Sequence, residues 1–247
     1  MIVRYKKILV YFILFLFLPA LVSFADSEFV EIDGIIEPSE VVNVSSQVPG
    51  ILDEITVERG DRIRKGQVLA RLKSGVETAA VNLAGARVEF GKRKLERNKE
   101  LYDKQLISVH DKDELETELK IMELQLQEEL ERLTLRTIRS PISGIVVERT
   151  GSPGEYIGDD SIMTIAEINP LYVEVNVPVE LINLIKKNML AEVRPESPVG
   201  GVYKVRAVIV DQIVDAASGT FGVRLKLSNP SYKLSAGLKC KVRFLKK

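Results

Sequence analysis

The sequence predicts a mostly β protein with an inserted antiparallel α-helical hairpin. Two observations carry this. A glycine-marked, strand-like unit occurs twice, with Gly144 answering Gly50 at an offset of 94 residues. Between the copies, residues 75–135 are rich in charge, and Gly and Pro nearly vanish after Gly91. Apolar residues there recur at helical spacing.

The chain begins "MIVRYKKILVYFILFLFLPALVSFADS". A basic start, an apolar run from Ile8 to Leu18, Pro19, and small residues at Ser23 and Ala25 form the three-part pattern of a secretory signal peptide, read as residues 1–25. The competing reading is an uncleaved membrane anchor, because Ile8 to Phe24 is borderline for spanning a bilayer. Either way the rest of the chain is expected outside the cytoplasm. No cysteine stands directly after the apolar run, so a lipoprotein anchor is not expected.

Thirty-five Lys plus Arg balance thirty-five Asp plus Glu. Without Arg4, Lys6 and Lys7 the remainder is about −3, so bulk charge gives no case for nucleic-acid binding. Tryptophan is absent, which removes the best stacking platform for bases. One cysteine, Cys240, and one histidine, His110, supply neither a disulfide framework nor a metal cluster. Cys240 lies in the alternating stretch "LKCKVRF" and is expected to be a small buried hydrophobe.

The first β unit is "PGILDEITVERGDRIRKGQVLARL", Pro49 to Leu72, and the second is "ISGIVVERTGSPGEYIGDDSIMTIA", Ile142 to Ala166. Gly60-Asp61 is answered by Gly154-Glu155, Ile63 by Ile157, and Val68-Leu69 by Ile162-Met163. The glycines mark turns and the alternating residues between them pack one face inward. Neither copy has enough apolar side chains for its own core, so the two should pack on each other as a flattened sandwich with pseudo-twofold symmetry.

The inserted segment predicts two helices, from about Val76 to Lys104 and from about Asp111 to Leu135. On the first, Val76, Ala80, Leu83, Arg87, Phe90, Lys94 and Leu101 stand at helical spacing; on the second, Leu115, Leu119, Met122, Leu126, Leu130 and Leu133 form a near-heptad stripe. One stripe from each helix is expected to form the hairpin seam. Gly85 and Gly91 should each weaken the first helix by about 1 kcal/mol relative to Ala. Ser74 with Glu77, and Ser108 with Asp111, both fit an N-terminal capping box. The short "QLISVH" between the helices makes them antiparallel, with arms roughly 40 Å long. Leu106 and Ile107 put apolar side chains at the tip of a charged rod, which suggests a contact site or simple closure of the hairpin end.

No Ser-His-Asp set, paired-carboxylate motif or Gly-x-x-x-x-Gly-Lys loop is present, so no catalytic residues are assigned and the chain is read as not an enzyme. No cofactor and no metal site are expected either.

These residues carry a resemblance. The half-motif at Pro49, the segment "KLERNKELYDKQLISVHDKDELETEL" and the second half beginning "LRTIRSPISGIV" resemble the periplasmic adaptor family, also called membrane fusion proteins, of the HlyD and RND-efflux type. "INPLYVEVNVPVELINLIKKNMLAEV" and "TFGVRLKLSNPSYKLSAGLKCKVRF" are similar to that family's β-barrel domain. The resemblance covers residues 29–247. It implies a lipoyl/biotinyl-like sandwich split by the hairpin, a C-terminal β-barrel and an elongated shape. The implied boundaries are 29–40 for an N-terminal strand contributing to the barrel, 41–73 and 137–166 for the lipoyl-like halves, 74–136 for the hairpin and 167–247 for the barrel. A membrane-proximal domain is expected to be absent.

The resemblance further implies a tripartite efflux or secretion system exporting small molecules such as drugs or toxic compounds. The partners would be an inner-membrane transporter, of RND or another class, and a TolC-type outer-membrane channel. A homo-oligomer, in the family a six-membered ring, would enclose the conduit in the periplasm, held at the inner membrane through the transporter or an uncleaved anchor. The family's tip motif R-x3-L-x6-S is matched by Arg97, Leu101 and Ser108, implying a contact with the channel. Two other readings are a lipoyl or biotinyl carrier and a periplasmic cargo-binding protein. A carrier needs an exposed lysine where the hairpin sits, and although Lys73 borders it, no carrier motif surrounds that residue.

Overall fold

The computed structural model describes residues 31–104 and 106–245. The expected signal peptide falls on residues 1–25, outside the described residues. Among these, no helix is long and apolar enough to cross a membrane.

Among the described residues, twelve strands and two long helices follow one another in the order β1 (Glu31–Ser45), β2 (Gly50–Ile55), β3 (Arg62–Ile63), β4 (Val68–Leu72), α1 (Gly75–Asp103), α2 (Val109–Thr134), β5 (Thr137–Arg139), β6 (Gly144–Arg149), β7 (Tyr156–Ile157), β8 (Ser161–Pro178), β9 (Leu190–Pro195), β10 (Tyr203–Asp215), β11 (Thr220–Leu227) and β12 (Lys239–Phe244). A short 3-10 turn spans Val179–Leu181.

The 94-residue repeat is realised as an exchange. β3 pairs with β6 and β7 with β2, so each half's strand is completed by the other half's turn. The registers match residue for residue: Arg62 stands opposite Ile145 and Tyr156 opposite Ile51; Ile63 stands opposite Gly144 and Ile157 opposite Gly50. The turns obey the same symmetry. Gly60 N–H donates to the Val146 carbonyl at 2.8 Å, and Gly154 N–H donates to the Leu52 carbonyl at 2.8 Å. Both glycines hold positive φ, 94° and 88°, which an L side chain rarely adopts. One shared core results, with Leu52, Leu69, Leu72, Val146, Met163 and Ile165 at its centre. Two layers cover it: β5-β4-β2-β7, and the facing ends of β1, β8, β6 and β3.

The barrel is antiparallel and closed, in the order β1-β12-β9-β10-β11-β8 with β8 pairing back to β1. Closure removes the exposed strand edges that invite aggregation. Val175, Val193, Phe221, Leu225 and Val242 fill it at period two, the alternation expected of half-buried strands. Cys240 is buried in this core as expected, and its apolar surroundings push the thiol up to about 11. β1 and β8 run through both bodies: Gly34–Pro38 pairs with Leu171–Val175 in the barrel, and Glu40–Ser45 with Ser161–Glu167 in the sandwich. Arg62 stacks on the Tyr232 ring at 4.6 Å, a cation–π contact from the sandwich to a barrel loop.

The two helices pack chiefly on each other. Here the structure corrects the expected seam. On α1 the buried residues are Ala84, Val88 and Gly91. The stripe expected to be buried faces solvent instead: Val76 is 80% exposed, Leu83 57% and Phe90 51%. The physical reason is size. At Gly91 an added Cβ would lie 3.0 Å from Met122 Sδ and 3.2 Å from a Leu119 methyl, so the small-residue face lets the helices approach closely. Lys94 bonds Glu118 at 2.8 Å across the same seam. Gly85 meets nothing within 4 Å and has no such role. On α2, Leu115, Leu119, Met122, Leu126 and Leu133 are partly buried as expected, while Leu130 is exposed.

Candidate partner-binding site at the hairpin tip

The foot of the hairpin sets where its tip points. Ser74 precedes α1 but makes no side-chain cap, so the first expected capping box does not form. Glu77 is drawn elsewhere: Arg136 Nη2 donates to its Oε1 at 2.5 Å, while Arg136 Nη1 donates to the Pro49 carbonyl at 2.9 Å. A charged pair that is mostly shielded from solvent outbids a neutral serine for the carboxylate. One guanidinium thereby ties together the start of α1, the end of α2 and the entry to β2. No local pattern marks this clamp, because Arg136 lies 59 residues from Glu77 and 87 from Pro49.

At the other end, Ser108 caps α2 with the full reciprocal box. Its hydroxyl accepts from Asp111 N–H at 3.2 Å and donates to Asp111 Oδ2 at 2.7 Å, and its own N–H donates to Asp111 Oδ2 at 2.9 Å. The Ser108 hydroxyl bond, then the backbone bond, hold the Asp111 carboxyl below its ordinary value. The chain reverses through a bond from Leu106 N–H to the Leu101 carbonyl at 2.8 Å. Lys112 lies over the Tyr102 ring at 5.2 Å and closes the end.

Arg97 and Leu101 are four residues apart and so share one face of the last turns of α1. Arg97 is exposed, with no ion pair among the described residues, and Leu101 is 38% exposed. That face is the outer one, continuous with Phe90. Leu106 is 67% exposed at the turn itself, and Val109 is exposed beside the cap. The tip thus presents an exposed guanidinium and the exposed apolar residues Leu101, Leu106 and Val109 beside a capped helix start. Ser108 lies across the turn from Leu101, its hydroxyl engaged in the cap. Such a surface offers apolar packing area and charge-assisted hydrogen-bond donors. Among the described residues no group of His, Cys, Asp or Glu could hold a metal ion.

The family model for a CzcB-like barrel-sandwich hybrid domain matches residues 40–167, and that for a CusB-like β-barrel domain matches residues 170–247. The chain belongs to the periplasmic adaptor, or membrane fusion protein, family. The adaptor is 24% identical over 224 residues to the nodulation protein NolF of Rhizobium meliloti, covering 85% of this chain and 61% of that protein. It is 25% identical to the antibiotic efflux pump periplasmic linker protein ArpA of Pseudomonas putida, covering 84% of this chain and 60% of that one. The adaptor therefore spans about three fifths of the length of these relatives. Its fold matches that of a MacA–MexA chimera carrying the Pseudomonas aeruginosa MexA α-hairpin domain, with a TM-score of 0.75 and 20% identity over 87% of this chain and 80% of the other.

Proposed function

We propose that this chain is the adaptor of a tripartite efflux or secretion assembly. It joins an inner-membrane transporter to a TolC-type outer-membrane channel and forms part of the conduit for small molecules such as drugs or toxic compounds. The observation that carries this is the hairpin. Its two feet are fixed in the sandwich by the Arg136 clamp, and its tip exposes Arg97, Leu101 and Leu106 at the end of a rod roughly 40 Å long. A rod built this way transmits position without chemistry. Arg97 offers charge-assisted hydrogen bonds to the channel, Leu101 offers packing, and Ser108 holds the turn between them. The sandwich halves at 41–73 and 137–166 and the barrel from 167 form the body on which copies assemble, in the family's manner a ring of six. Energy for transport comes from the transporter.

The test is replacement of Arg97 by Ala and of Leu101 by Ala in the full-length protein. Export and crosslinking to the channel should fall together while abundance and thermal midpoint stay unchanged. Export that persists in both variants refutes the tip contact.

A further inference from the structure

β1 and β8 cross from the sandwich to the barrel as a two-stranded ribbon, and their pairing breaks at the crossing. Between Pro38 opposite Leu171 and Glu40 opposite Glu167, β1 has one residue, Ser39, while β8 has three, Ile168, Asn169 and Pro170. Pro38 and Pro170 bring no N–H to the ladder. A two-stranded ribbon with its ladder interrupted resists bending poorly.

The loop between β11 and β12 is built against this crossing. Asn229 is buried there, and both polar atoms of its side chain are used. Its Nδ2 donates to the carbonyls of Ile168 and Leu234, each at 2.9 Å, and its Oδ1 accepts from Leu234 N–H at 3.1 Å. Asn229 N–H donates to Asn169 Oδ1 at 3.0 Å. The loop is thereby bolted to the irregular stretch of β8. Within the loop, Tyr232 holds φ at 58° and its N–H donates to the Asn229 carbonyl at 3.0 Å. That backbone is uncommon for a bulky residue and persists only where the surroundings determine it. The Tyr232 ring lies under the Arg62 guanidinium at 4.6 Å. Arg62 stands on β3, which β6 holds in the sandwich. The sandwich fold does not itself call for arginine at this place. Tyr156 occupies the equivalent position in the second half, opposite Ile51 as Arg62 is opposite Ile145.

We infer that the Arg62–Tyr232 contact is a brace that fixes the angle between the sandwich and the barrel. The ribbon supplies the joint, Asn229 anchors the bracket at the joint, and Tyr232 meets the sandwich away from the ribbon. Two attachments at separate points resist rotation where one does not. With the brace closed, barrel, sandwich and hairpin turn as one body, whichever partners the tip and the barrel take.

The experiment uses the purified protein with no channel or transporter present. Spin labels are placed at Asp159→Cys in the sandwich and Lys204→Cys on the barrel, both exposed, and the distance between them is read by double electron–electron resonance. Cys240 is buried and takes no label. The otherwise unaltered protein should give one narrow distance distribution. Arg62→Ala should broaden it and lower the population at the original distance, relative to the rest, by roughly two- to fivefold, the factor an exposed cation–π contact supplies. Arg62 is exposed, so this variant should keep its thermal midpoint. Tyr232→Gly should broaden the distribution equally, because glycine adopts positive φ freely and only the ring is lost. Tyr232→Phe keeps the ring face and should keep the narrow distribution. A distribution already broad before either change, one left narrow by both Arg62→Ala and Tyr232→Gly, or a Tyr232→Phe distribution as broad as that of Tyr232→Gly would each overturn the inference.

Discussion

Gly144→Ala should damage the sandwich far more than the same change at its symmetry mate Gly50. A Cβ on Gly144 would lie 2.2 Å from the Ala166 carbonyl oxygen and 2.8 Å from its carbon. Carbon and oxygen need more than 3 Å, and both atoms belong to backbone, so β6 and β8 must part by roughly 1 Å. Val146 and Ile165, both fully packed, face each other across that pair. Overpacking a filled core costs about 1–3 kcal/mol, and each loosened ladder bond costs about 1 kcal/mol more. The expected loss is about 3 kcal/mol. At Gly50 the nearest atom is Arg136 Nη1 at 2.7 Å, the end of a flexible side chain. It can move at the cost of its bond to Pro49, about 1 kcal/mol. Urea unfolding followed by far-UV circular dichroism reads both values. A Gly144→Ala loss below 1 kcal/mol, or one equal to that of Gly50→Ala, would refute the close approach of β6 to β8.

Three further outcomes follow from the hairpin. Gly85→Ala should stabilise the protein by about 1 kcal/mol in thermal unfolding, because the helix gains propensity in open space, whereas Gly91→Ala should gain nothing or lose stability against Met122 and Leu119. The Asp111 carboxyl is held below its ordinary value, so its cap is complete above the usual carboxylate range and is lost as pH falls through the lowered value. Amide exchange at Asp111 and Lys112, corrected for intrinsic rate, should therefore accelerate at low pH in the native chain and be pH-independent in Asp111→Ala. Arg136→Ala should speed exchange in the first turn of α1 and cost about 1.5–3 kcal/mol, the range for bonds to charged groups; unchanged exchange there would show that the clamp does not hold the foot.

The sandwich was legible in the sequence because its symmetry is written in glycines. Gly50 with Gly144 and Gly60 with Gly154 keep the same spacing since the same turn is built twice. The hairpin was legible from charge and the near absence of breakers. Its inner face was not. Large apolar residues at heptad spacing look like a seam, yet Ala84, Val88 and Gly91 form it, because close helix approach favours what is small. The lost Ser74 cap has a similar cause, a competitor in Arg136 that is distant in sequence. Barrel closure by β1 and β8 pairs residues more than a hundred positions apart, and no local pattern encodes that. Arg97 and Leu101 stood out only through the family resemblance; nothing in their spacing distinguishes them from other residues of a charged helix.

The exchange of turns between the two sandwich halves also governs how the chain acquires its structure. Neither half can complete its hydrogen bonding until the other arrives, so neither is a folding unit. The arriving half is separated by the whole of α1 and α2, a span whose closure as a flexible loop would carry a large entropic cost. Helices form from local contacts and fast. Once α1 and α2 pair, the ends of that span stand side by side, and the search is reduced to docking two nearby segments. On this view the rod comes first, and it acts as the splint on which its own socket is assembled.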